Sequence, residues 1–170
     1  MRPRHDPRFL LRAAAFVIAF AATALAGQAV KTDELPADTL IVLQRGACEH
    51  RCSVYNVVIF ADGSVIFDGR YYVRRTGVIR TRITREALRG LLDAAAAAHF
   101  FDMKQSYAPG SGSGCEQPTS DAPTAILTIG SGGRLKTVVH YLGCRGAESE
   151  RLSQLEVKID QATHTRAWVK

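Results

Sequence analysis

The chain has 170 residues, 46% apolar and 22% charged, with 22 Lys and Arg against 16 Asp and Glu for a formal net charge of +6. This mixture is that of a globular protein, and it excludes disordered, collagen-like and wholly membrane-embedded classes. Arg2, Arg4, Arg8 and Arg12 lie in the first 26 positions with one acid, Asp6, so the remaining 144 residues carry 18 basic and 15 acidic side chains, a net of +3 that leaves no nucleic-acid footprint.

Those four arginines precede "AAAFVIAFAATALA" (13 to 26), a charge-free apolar run of 14 residues. A bilayer span needs about 20. The run instead fits the apolar part of a secretory signal, and Ala24-Leu25-Ala26 supplies the small residues of an A-x-A cleavage site before Gly27. Residues 1 to 26 are therefore expected to be a signal peptide and "GQAVKTDELPAD" (27 to 38) a flexible lead-in. A single domain should follow over 39 to 170, with no membrane span once the signal is removed.

Within that domain "TLIVLQ" (39 to 44) and "SVYNVVIF" (53 to 60) are short runs of strand formers. Asp62-Gly63 is a two-residue hairpin signal that joins the second run to "VIFDG". A further strand, interrupted near Gly77, is expected in "RYYVRRTGVIRTRI". Thr84 then suits a helix N-cap, with Ile83 and Leu88 placed as a hydrophobic staple, and Leu88, Leu91, Leu92 and Ala95 share one face of a helix over 85 to 99. Phe100 and Phe101 read as core plugs at its exit, and residues 108 to 123, rich in Gly, Ser and Pro, as a long surface loop.

"TAILTIG" alternates with Ala125, Leu127 and Ile129 on one face. "SGG" turns the chain into "RLKTVVHYL", whose Leu135, Thr137, Val139 and Tyr141 share a side. A closing helix behind a Ser149 cap buries Leu152, Leu155, Ile159 and Ala162. The resulting order predicts an α+β fold, an antiparallel sheet built from two hairpins and an N-terminal strand and packed by two helices.

Cys48, Cys52, Cys115 and Cys144 form an even set in an exported domain, which points to disulfides with three connectivities open. In extended chain, Cys48 and Cys52 would stand about 13 Å apart, beyond the ~7 Å reach of a bridge. A local bond therefore requires "CEHRC" to fold as a turn. Cys115 and Cys144 flank a hairpin whose two ends meet, which makes their bond natural, and closing that loop stabilises by about 3.6 kcal/mol through chain entropy. Crossed pairings stay open.

A zinc site drawn from Cys48, His50, Cys52, Cys115, His140 and Cys144 is the alternative, against which stand the loose Cys-x3-Cys spacing and the oxidising compartment. A dithiol oxidoreductase would need C-x-x-C opening a helix. The sequence holds neither a G-x-S-x-G elbow nor an H-E-x-x-H motif, so no catalytic residue, metal ligand or cofactor site is assigned. A hydrolase built on His140 and the 108 to 123 loop is the catalytic alternative. Arg70, Arg74, Arg75, Arg80 and Arg82 form the candidate binding face, toward an anionic surface; the plainer reading is that they are a solvated strand face.

Taken together, "LIVLQRGAC" running into Cys-x3-Cys, "SVYNVVIFADGSVIFDG", "HFFDMKQSY", "DAPTAILTI", "LEVKID" and "RAWV" resemble the bacterial domain-of-unknown-function family 6438. The resemblance spans roughly 40 to 169; Ser53 stands where the family pattern has proline, and Tyr55 is in place. It implies an exported α+β domain and carries over no catalytic residue. The expected protein is thus periplasmic or secreted, monomeric, non-enzymatic, and a binder of a partner protein or envelope component.

Overall fold

The computed structural model describes residues 35–110, 112–115 and 118–169. The expected signal peptide and most of the expected lead-in lie outside the described residues. Nine regular elements follow in chain order: strands β1 (Leu40–Arg45), β2 (Val54–Phe60), β3 (Ser64–Tyr71) and β4 (Gly77–Arg82), helix α1 (Arg85–Ala97), strands β5 (Ser106–Tyr107), β6 (Thr124–Ser131) and β7 (Arg134–Tyr141), and helix α2 (Ala147–Ala162). Single turns of 3-10 helix, Phe100–Asp102 and Thr165–Ala167, follow the two helices. The fold is α+β.

The strands form one sheet in the order β4-β3-β2-β1-β6-β7-β5. The first of the described strands is thus the central one, antiparallel to β2 on one side and to β6 on the other. All neighbours are antiparallel except β5, which pairs with β7 in parallel through Ser106 and Tyr107. The sheet is therefore mixed where a purely antiparallel one was expected. Two residues are too short a run to be read as a strand from the sequence; the pairing is extended by the Val139 amide, which donates to the Gln105 carbonyl at 2.9 Å.

Local chemistry explains the turns. β2 and β3 are joined by three residues, not two: Gly63 takes φ +79° to form the bulge, and Asp62 Oδ1 accepts from the Ser64 amide at 2.9 Å. Gly132 and Gly133, at φ +60° and +75°, make the two-residue turn between β6 and β7. The Asp38 carboxylate accepts both of their amides, at 3.0 and 2.6 Å. Donation from Gly133 first, and then Gly132, holds its pKa below the ordinary carboxylate range.

Helix α1 begins as expected, Thr84 Oγ1 accepting from the Ala87 amide at 3.1 Å. It stops two residues short of the predicted end, because His99 turns left-handed at φ +56°. Phe100 is fully buried, as expected of a core plug, while Phe101 is half-buried beneath the Arg134 guanidinium, 3.9 Å from its ring centre. The start of α2 corrects the sequence reading: Gly146 is the N-cap and makes no side-chain cap bond. Ser149 sits inside the first turn with a different task.

Both helices pack against the face of the sheet that carries Ile41, Leu43, Val57, Ile59, Phe67, Leu127, Ile129 and Val138, and against each other. In β7 Leu135, Thr137, Val139 and Tyr141 share a side, as predicted, and that side faces away from the core, with Val138 and His140 facing in. The opposite face of the sheet stays open, with Val42, Val58 and Ile66 half-covered by their neighbours and Phe60, Val78 and Leu135 exposed.

Candidate functional site

Both local and hairpin-closing sulfur pairs lie at bonding distance, Cys48–Cys52 at 2.01 Å and Cys115–Cys144 at 2.07 Å. The first is made feasible by a bend through Glu49 and His50 that brings the Cα atoms to 5.6 Å. Pairing withdraws all four sulfurs from thiolate chemistry, and so from the zinc arrangement considered above. Among the described residues no three His, Cys, Asp or Glu side chains are grouped to hold a metal ion. No described helix is long and apolar enough to cross a membrane.

The arginines are distributed along one margin of the sheet. Arg80 and Arg82 lie on β4, Arg70 near the end of β3, and Arg74 and Arg75 in the connection between them, all exposed. Their main chain is anchored, since the amides of Arg74 and Arg75 both donate to the Trp168 carbonyl and Val73 bridges to Val169. Two of the side chains have acidic neighbours, Arg70 with Asp68 at 2.5 Å and Arg82 with Asp62 at 3.7 Å.

Sequence reasoning missed a polar chain in the interior. Arg45, at the end of the central strand, places Nη1 2.6 Å from Glu156 Oε2 and Nη2 2.8 Å from Asp160 Oδ2, both on α2. Burial draws the guanidinium's pKa down, but the two carboxylates more than offset this and hold it above its ordinary value. The Tyr55 hydroxyl donates to Asp160 Oδ1 at 2.8 Å, and burial first, then that carboxylate, pushes its pKa up. The Thr165 hydroxyl donates to the same oxygen at 3.1 Å.

From Glu156 the chain continues to His140, whose Nδ1 lies 2.9 Å from Oε1 and whose Nε2 lies 2.8 Å from Ser149 Oγ. The order serine, histidine, carboxylate is that of an activated nucleophile. Access is what it lacks: His140 and Glu156 are 0% exposed and Ser149 1%, and the Ser149 hydroxyl also reaches the Cys144 carbonyl at 3.1 Å. No acyl group can approach it in this state. What the arrangement does is satisfy buried polar atoms and pin α2 to one position on β1, β2 and β7.

Two signals in the sequence point to this chain. Glu156 lies on the same stripe of α2 as Leu152 and Ile159, and a glutamate on an apolar stripe demands a partner. His140 alternates with Val138 on β7, but the opposite parity is the more apolar by composition.

Beside the Asp160 end, a cavity of about 520 Å³ opens between α2 and the C-terminal turn, lined by Tyr55, Val157, Asp160, His164, Arg166 and Val169 among others. Its carboxylate is already committed to Arg45, Tyr55 and Thr165. The 108 to 123 loop, expected to border a site, is tied back by the Cys115–Cys144 bond and by Tyr141, whose hydroxyl donates to the Thr119 carbonyl at 2.8 Å.

No curated protein matches the chain. A family model does, over residues 39–163, from the central strand to the end of the second helix: the chain belongs to the family described as Domain of unknown function (DUF6438).

Proposed function

We propose that this chain is an exported, disulfide-braced domain that acts by binding a partner protein or envelope component and performs no catalysis. The observation that carries the reading is the division of polar groups between interior and surface. The one serine–histidine–carboxylate chain among the described residues is closed to solvent, whereas Arg70, Arg74, Arg75, Arg80 and Arg82 are all exposed along one margin of the sheet. Paired cysteines agree with an oxidising compartment, periplasmic or extracellular.

The test has two arms. Fractionation of the native host with thiol labelling should find the processed chain outside the cytosol with no reactive thiol; a reduced, full-length cytosolic chain would overturn export. Incubation with a fluorophosphonate probe should leave the protein unlabelled; covalent labelling of Ser149 that is lost in Ser149→Ala would establish the hydrolase reading instead.

A further inference from the structure

β4 is the end strand of the sheet, with β3 on one side and, among the described residues, no strand on the other. The Ile83 amide donates to the Gly63 carbonyl at 2.9 Å, which sets the phase of the ladder. Since antiparallel pairs alternate between bonded and unbonded positions, Ile79, Thr81 and Ile83 direct their backbone groups toward β3. Val78, Arg80 and Arg82 direct theirs away from the sheet. None of these three makes a backbone bond to any other described segment. The result is a regular run of free donors and acceptors, with no proline or bulge to interrupt it.

The side chains of the same three residues lie on the open face of the sheet, opposite the helices. Arg80 pairs across to Ile66, Arg82 to Ser64 and Val78 to Asp68. Val78 is 53% exposed. Arg80 has no hydrogen-bond or ion-pair partner among the described residues, and Arg82 is held at the β2–β3 turn, its Nη2 donating to the Asp62 carbonyl at 2.7 Å and lying 3.7 Å from the Asp62 carboxylate. Residues 61 to 90 hold seven arginines against three acids. A second copy of this chain pairing through β4 would bring arginines against arginines, so the charge that leaves the edge open to others closes it to itself.

We propose that β4 is an acceptor edge for an extended acidic segment of a partner protein, which adds as a further antiparallel strand. The proposal rests on the reading of this domain as a binding module, and it specifies the partner's pattern. Residues opposite Arg82, Arg80 and Val78 are two apart in the partner and share a face. Read from its N-terminus, the segment presents carboxylate, any residue, carboxylate, any residue, apolar. Main-chain bonds give the affinity and the alternating side chains give the register, the usual division in strand addition.

The experiment uses the disulfide-intact protein and three synthetic peptides. One contains Glu-Thr-Glu-Thr-Val; the second has the same composition with both glutamates moved by one position; the third is the first with N-methyl groups on the amides that would face β4. Calorimetry at low salt should show the first binding at least tenfold more tightly than the other two. Amide exchange should slow at Val78, Arg80 and Arg82.

Val78→Pro removes an outward N–H while leaving the β3 ladder intact. It should lose the binding as fully as Arg80→Glu does. If all three peptides bind alike and only Arg80→Glu matters, the margin is a charge patch suited to polyanions or anionic vesicles, and strand addition is wrong while the binding reading survives. If neither the peptides nor heparin nor anionic vesicles bind, strand addition fails and the arginine face loses its role in the proposed function as well.

Discussion

Removing the charge of Glu156 should cost more than any single change on the surface. In Glu156→Gln the shape is kept, but Arg45, whose side chain is 13% exposed, loses the carboxylate 2.6 Å from Nη1, and His140 loses the carboxylate 2.9 Å from its Nδ1. Two unit charges centred about 4 Å apart at an effective dielectric near 20 interact by about 4 kcal/mol. Asp160 stays on the guanidinium at 2.8 Å and offsets part of the loss. The expected destabilisation is about 3 kcal/mol, at the lower end for breaking a buried pair.

Arg45→Met should cost a similar amount, because it leaves Glu156 and Asp160 facing each other across the vacated space. The double variant Arg45→Met/Glu156→Gln should then cost well below the sum, with a coupling of about 2 kcal/mol or more. Urea titrations at neutral pH with both disulfides intact measure all three. Single variants costing under about 1 kcal/mol, or costs that simply add, would show that the interior chain is not an electrostatic unit.

Three other outcomes follow from the geometry. Replacing Cys115 and Cys144 by serine should lower stability by about 3.6 kcal/mol and replacing Cys48 and Cys52 by about 2 kcal/mol, because the longer loop loses more closure entropy; equal losses in denaturant titration would contradict that ranking. Burial, and then a 2.7 Å bond to Glu148, push the Tyr107 phenol up to about 12. The folded state therefore keeps a proton that the unfolded chain releases near pH 10, stability should fall from there toward pH 12, and Tyr107→Phe should flatten that slope in urea titrations at alkaline pH. Asp38 has the opposite sign: its depressed value contributes stability above about pH 4 that fades as the pH drops through its folded value, so Asp38→Asn should be the less stable protein at pH 7 and approach the wild type in acid, as thermal melts across that range would show.

What could be read in advance was what is local. Thr84 caps its helix and Gly132 and Gly133 turn their hairpin, outcomes decided by short-range chemistry, and of the three cysteine pairings left open the one found joins residues that a turn or a hairpin brings near. The failures share a different cause. Nothing in "LIVLQR" says that β1 is central, because both of its neighbours come later in the chain. Which side of β7 faces inward was not legible, because His140 is buried through partners on α2, which no alternation rule within β7 can register. Likewise Arg45 and Tyr55 are ordinary strand residues until Asp160 lies between them.

The central position of the earliest strand governs how the molecule is born. When β1 through β4 have been synthesised, one flank of β1 still has no neighbour, and β6 does not begin until Thr124. While the chain is being made, an unfinished half-sheet therefore stands with one flank of β1 bare, and the final closure has to span some eighty intervening positions, the long-range pairing that makes such topologies slow. Chaperone dependence during biogenesis, more than fragility once assembled, is the vulnerability that this strand order builds in.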